Sequence, residues 1–247
     1  MSTTTMTIVA VTTSLSEDST TLKLTDRILA SATSAGESVG IEVNTEVINI
    51  RDLATALSDM TLTGFRSEAL EAAFAAVVEA DAVVSVAPVY KVAPVGLHTL
   101  FWQLIDEKAL ARTPVLIAST GGTPRHSLAG EAVLRPMLAY LKGVVVPTTV
   151  FAATDDWGSS EGGRALSARI RQAAEEVVSL TATLIGAGKG DLAEVADPET
   201  SDAQFASGEG AGRARGAGQD GRDGRGGGIV DEFDPANVTP FAQLLEG

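Results

Sequence analysis

The 247-residue chain has no cysteine, which removes disulfides, thiolate metal sites and cysteine nucleophiles together. Histidine is nearly as scarce. His98 and His126 are the only two, they fall on different expected elements, and no GxSxG stands near them, so a Ser-His-Asp triad has no support. Neither HExxH nor a paired His/carboxylate metal motif occurs. The first Ser/Thr-rich loop lacks glycine, so GxGxxG and Walker A phosphate loops are missing there. Long apolar runs are missing too. The most apolar segment, near residues 72–97, is broken by Glu79, Asp81, Pro88, Lys91 and Pro94, whereas a bilayer span takes about 20 apolar residues. Positive charge is in deficit: 18 Lys and Arg face 32 Asp and Glu, a net −14, so the basic footprint needed for nucleic acid or an anionic membrane is absent. The start, MSTTTMTIVAV, has no positive n-region, and a cytoplasmic protein is the expectation.

What is present is alternation. Short apolar runs at Thr7–Thr12, Ile41–Ile50, Val83–Ala87, Pro114–Ser119 and Val144–Ala152 read as five strands. Between them lie helical patterns from Leu22 towards Gly36 and Gly40, a short helix and loop over Arg51–Thr63, then Phe65–Ala80, Val95–Lys108, His126–Lys142 and Glu161–Gly186. Strand–helix alternation predicts an α/β fold, a doubly wound five-stranded parallel sheet, for which the flavodoxin-like order 2-1-3-4-5 is the common solution. Residues 1–189 form the expected domain. Residues 190–228 read as a flexible linker, with ten glycines between residues 207 and 228, and 229–247 as a short apolar segment that either stays disordered or docks.

Ligands of open α/β sheets bind beyond the carboxyl ends of the strands, at the switch point in strand order. Three loops fall at that edge. The first, Thr12 to Thr21, carries seven hydroxyl side chains ahead of a helix start, whose free N–H groups and partial positive charge can hold a phosphate without Lys or Arg. Ser19 or Thr20 acting only as a helix cap is the competing reading. The second, Pro88-Val89-Tyr90-Lys91, can lay backbone and a ring along a planar ligand, or Tyr90 can simply pack on the next helix. The third, Thr120-Gly121-Gly122-Thr123, frees backbone for close approach, or is only a turn. Asp155-Asp156-Trp157 after the fifth strand reads as a capped turn first and a ligand or subunit contact second. The lack of acid–base machinery suits hydride transfer, where a cofactor does the chemistry and the protein positions it.

The runs PVYKVAPVGL, STGGTPRHSL, LRPMLAYLKGVVVP and VFAATDDWG resemble the NAD(P)H-dependent FMN reductases, closest to the branch that partners luciferase-like monooxygenases in two-component systems. The resemblance covers roughly residues 6–185. It implies a flavodoxin-like homodimer or homotetramer using FMN and NAD(P)H, with the FMN phosphate on Thr12, Ser14, Ser16, Ser19 and Thr21. It also implies that Pro88, Val89, Tyr90 and Lys91 line the ribityl chain and flavin edge, that Thr120, Gly121 and Gly122 contact the isoalloxazine, and that Arg125 and His126 lie near the nicotinamide. Two positions depart from the family pattern: Ser14 stands where many relatives have Arg, and His98-Thr99 follow Gly96-Leu97 where many have a Lys. The expected activity is hydride transfer to flavin N5 and supply of reduced FMN to a partner monooxygenase. A quinone or azo reductase with bound FMN and a flavodoxin-like electron carrier are the alternatives.

Overall fold

The structure, a computed structural model, describes residues 4–16 and 18–186. The expected linker and apolar end segment lie outside these residues. The strands are β1 (Thr4–Thr12), β2 (Ile41–Asn49), β3 (Ala82–Tyr90), β4 (Ala93–Pro94), β5 (Pro114–Gly121), β6 (Val144–Val145) and β7 (Val150–Ala153). The helices are α1 (Thr20–Ser38), α2 (Ala54–Thr63), α3 (Glu68–Glu79), α4 (Gly96–Leu104), α5 (Arg135–Tyr140), α6 (Thr154–Gly158) and α7 (Ser160–Gly186). The sheet runs β2-β1-β3-β5, with β6 and β7 successively beside β5, and every pairing except the β3–β4 hairpin is parallel. This is the expected flavodoxin-like order, with the fifth strand broken in two.

β3 explains why the sheet must be covered on both faces. Every residue from Ala82 to Val89 is buried. Alternate side chains serve two cores: Val83 and Ala87 pack with α2, α3, α4 and α5, while Ala82, Val84 and Val86 pack with α1 and α7. Each fully buried valine or leucine contributes about 1.5–3 kcal/mol, so a strand with no polar face is stable only in this sandwich.

Three elements differ from the periodicity. Pro88, Val89 and Tyr90, expected in a loop, extend β3, and Lys91 and Val92 turn the chain into β4 with φ of 50° and 65°. The expected helix from His126 to Lys142 is instead a 3-10 turn at Pro124–His126, a π-turn at Gly130–Leu134 and then α5. Its physical cause is twofold: Pro136 lacks an N–H to continue a helix, and Gly130 passes so close to β5 that a Cβ would lie 3.1 Å from Ile117 Cγ2. The last strand breaks at Val146–Thr149, where Pro147 cannot donate to a ladder. Arg135 donates to the freed carbonyls of Val146 and Pro147 at 3.2 and 3.3 Å, and Glu176 of α7 accepts from Thr148 N at 2.9 Å, so the break is held from both layers.

α1 runs through Gly36 rather than stopping there, and ends before Gly40, whose φ is +74°. Gly36 is where α1 meets β2: a Cβ there would lie 2.4 Å from Val43 Cγ2 and 2.9 Å from Ile41 O. Replacing it with valine is expected to cost about 1–3 kcal/mol through overpacking. Denaturant unfolding measures this, and an unchanged midpoint would show that α1 and β2 separate freely.

Candidate functional site

The helices after β1 and β3 leave the sheet on opposite faces, α1 to one and α4 to the other, so a crevice opens between the two strand ends. A cleft of about 470 Å³ occupies it. It is walled by Thr13, Leu15, Ser16 and Asp18 to Thr21 from the first loop, Pro88 to Tyr90 from β3, Thr120 to Gly122 from β5, and Thr154 after β7. The three loops singled out in the sequence therefore meet. Other clefts of similar size, about 500 and 540 Å³, lie between α1 and α7, away from the strand ends.

In the first loop, alternation along β1 sends Thr12 and Thr13 to opposite faces. Thr12 is fully buried with its hydroxyl 3.1 Å from that of Thr25 on α1, and it does not line the cleft. Ser14 is also buried and outside the lining: its hydroxyl donates to Ser16 O at 2.8 Å, and its N–H to Asn49 Oδ1 at 3.1 Å. Ser19 caps α1, accepting from Thr21 N and Leu22 N at 3.2 and 3.4 Å. Thr21 shares a 2.8 Å hydrogen bond with Thr120, which locks the first turn of α1 to the end of β5. Of the five expected phosphate hydroxyls, only that of Ser16 has no partner among the described residues, and it lines the cleft from an exposed position. Among the described residues the N–H groups of Leu15, Ser16, Ser19 and Thr20 also donate to no protein atom. A run of free backbone donors at a helix start is an anion cradle in its own right.

On the second wall Pro88 and Val89 are buried and Tyr90 is exposed at the mouth, so the ring is not packed on the next helix. Lys91 sits on the hairpin turn outside the lining. On the third wall the two glycines are unlike. A Cβ on Gly121 would lie 2.9 Å from the Phe151 ring, so packing alone requires glycine there, whereas Gly122 has nothing within 4 Å. Arg125 is exposed on the 3-10 turn and outside the cleft. His126 lies just behind Gly121, with its Nδ1 buried and lacking a hydrogen-bond partner. Asp155-Asp156-Trp157 proves to be a capped turn: Asp156 Oδ2 accepts from Ala153 N at 2.8 Å, and Arg27 stacks over the Trp157 ring.

The electrostatics are unusual for an anion site. The only charged side chain among the described lining residues is Asp18, and the Lys23 ammonium bonded to it holds its carboxyl below the ordinary range. Thr13 and Thr20, which the sequence reading included in the first loop without giving them a ligand role, line the cleft, as does Thr154, which it passed over; Asn49, ending β2 at the same carboxyl edge, was also passed over and holds Ser14 from outside the lining. Beneath Thr13 lies His98, fully buried on α4 and bonded to Thr13, Ser85 and Trp102. Burial pushes its pKa from 6.5 down to about 3. The unfolded chain therefore binds a proton that the folded chain refuses, so stability is full above pH 6.5 and falls as pH drops towards 3. The unfolding midpoint is expected to decline between about pH 6.5 and 5, above the range where carboxylates titrate, and to decline less in a His98→Gln variant. Equal slopes would rule out a neutral buried His98.

The sequence profile of the family described as NADPH-dependent FMN reductase matches residues 6–158. The NADH-dependent FMN reductase SfnE of Pseudomonas putida is 34% identical over 174 residues, which cover 70% of this chain and 91% of that one. FMN reductase (NADPH) of Pseudomonas aeruginosa is 34% identical over 190 residues, 76% of this chain and 97% of its own. Among solved structures, an oxidoreductase from Corynebacterium diphtheriae superposes with a TM-score of 0.70 at 35% identity, covering 74% of this chain and 99% of that one. With the profile spanning the strands and all three loops of the cleft, the chain belongs to the NADPH-dependent FMN reductase family.

Proposed function

We propose that the cleft holds FMN as an exchangeable substrate, that NAD(P)H reduces it there, and that the reduced flavin leaves for a partner monooxygenase. The observation that carries this reading is the row of free N–H groups at Leu15, Ser16, Ser19 and Thr20 beside the start of α1. A phosphate seated there takes several charge-assisted hydrogen bonds and the positive end of the helix dipole. The apolar walls fit the rest of the molecule: Pro88 and Val89 on one side, bare Gly122 on the other, with Tyr90 at the mouth.

The chemistry that bound flavin supplies is acceptance of a hydride at N5 from nicotinamide C4. The chain's part is to hold two planar reactants in contact, an effect worth up to about 7–11 kcal/mol in well-oriented systems. Pro88, Val89 and Gly122 shape a flat slot, and the Thr21–Thr120 bond fixes the phosphate wall relative to the ring wall. Among the described lining residues, Asp18 and Tyr90 are the only titratable ones and both are at the exposed rim, so no side chain is placed as a general acid or base. The cleft is open and has no cation among its described lining residues, which supports release of the flavin after reduction. Apolar side chains left exposed around the mouth, Leu15, Tyr90 and Val92, support a covering partner, in this reading a second copy in a homodimer or homotetramer, in the cytoplasm.

The decisive measurement is NADH and NADPH oxidation as FMN is titrated from zero. Saturable dependence on added FMN is expected; turnover that ignores FMN and needs a quinone would mean a permanently bound flavin instead. Gly122→Val is expected to raise KM for FMN by about tenfold or more, because 1.4 kcal/mol of crowding already does so, while leaving the unfolding midpoint unchanged. Gly121→Val is expected to raise KM for FMN and also to lower the unfolding midpoint, because of Phe151.

A further inference from the structure

His98 is a buried titratable group that hydride transfer does not use. Its Nδ1 lies 2.9 Å from Thr13 Oγ1, and its Nε2 lies 2.8 Å from Ser85 Oγ and 3.2 Å from Trp102 Nε1. An indole nitrogen can only donate, so Nε2 must accept and carries no proton. The one proton of the neutral ring is therefore on Nδ1, and it is donated to Thr13 Oγ1. A hydroxyl has a single hydrogen, and with its oxygen accepting from His98, that of Thr13 must go elsewhere. Among the described residues no protein atom accepts it. Thr13 is at once fully buried and part of the cleft wall, next to the free N–H groups of the loop. A buried donor with no acceptor is costly unless a ligand completes it.

We propose that His98 is a positioning residue: Trp102 fixes its tautomer, and that tautomer makes the Thr13 hydroxyl an obligate donor into the cleft, aimed at the flavin phosphate. The inference rests on the FMN reading of the cleft. The opposite tautomer would turn the Thr13 proton back towards Nδ1 and present lone pairs to the anion. Polarity thus runs one way, from Trp102 to His98 to Thr13 to ligand. In a site with no cationic side chain among its described lining residues, such a fixed donor discriminates phosphorylated flavin from its phosphate-free analogue.

Two measurements test this on the full chain. With only two histidines, ¹⁵N-histidine NMR of the wild-type protein reads the tautomer directly. A protonated Nδ1 and an unprotonated Nε2 on the histidine that does not titrate are expected, and the reverse would overturn the proposal. Affinities for FMN and riboflavin, read from quenching of flavin fluorescence, then test the donor. Thr13→Val is expected to weaken FMN by about tenfold or more and riboflavin by no more than about twofold, the difference being one hydrogen bond to a charged group. Thr13→Ser should restore FMN binding. Trp102→Phe, which keeps an aromatic ring and frees the tautomer, should weaken FMN selectively. Equal losses for both flavins, or full FMN binding by Thr13→Val, would overturn the proposal alone. Failure of the wild-type protein to bind FMN would overturn the flavin reading and this proposal with it.

Discussion

The site depends on a single geometric fact: α1 follows β1 onto one face of the sheet and α4 follows β3 onto the other. Two neighbouring parallel strands whose chains depart in opposite directions leave a gap at their carboxyl ends that no side chain of the sheet fills. The burial of β3 on both faces enforces the arrangement, since moving α1 or α4 would expose a run of valine and alanine. Stability and the existence of the cleft thus come from the same residues.

Within that gap the chain spends most of its hydroxyls on its own architecture. Thr12, Ser14, Ser19 and Thr21 have protein partners, and their role is to hold a loop open while its backbone donors stay free. This division was not visible in the sequence, where seven hydroxyls in ten residues look alike. Alternation along a strand can sort Thr12 from Thr13, but only once the last residue of β1 is known, and strand ends are set by pairing rather than by composition. The strand order, the three converging loops and the cap at Ser19 were legible, because buried β-branched runs and a helix start leave strong local signals.

What stayed hidden was set by long-range contact. Gly121 and Gly122 are adjacent and identical in type, yet Phe151, thirty residues on, makes the first a packing requirement and leaves the second facing open space. The broken last strand required knowing that Arg135 and Glu176 stand ready on either side of Pro147. The same holds for His98, which periodicity places inside a helix without showing that a strand serine, a loop threonine and a tryptophan one turn later all converge on its ring.

Charge explains why such a network matters here. The chain is strongly acidic, and among the described lining residues of the cleft the one charged side chain is a carboxylate, itself neutralised by Lys23. An arginine clamp would hold a phosphate by Coulomb attraction that is long in range and weakly dependent on angle. Neutral donors must be aimed, because a hydrogen bond weakens steeply once its angle falls towards 120°. Each bond to an anion contributes only about 1.5–3 kcal/mol, so a few misaligned donors forfeit the whole interaction. The Asn49 contact to Ser14, the Ser19 cap, the Thr21–Thr120 tie and the His98 bond to Thr13 are four separate means of fixing direction in one short loop. A site built this way trades affinity for orientation, as the proposed role, a flavin held flat against a nicotinamide for one transfer and then released, would require.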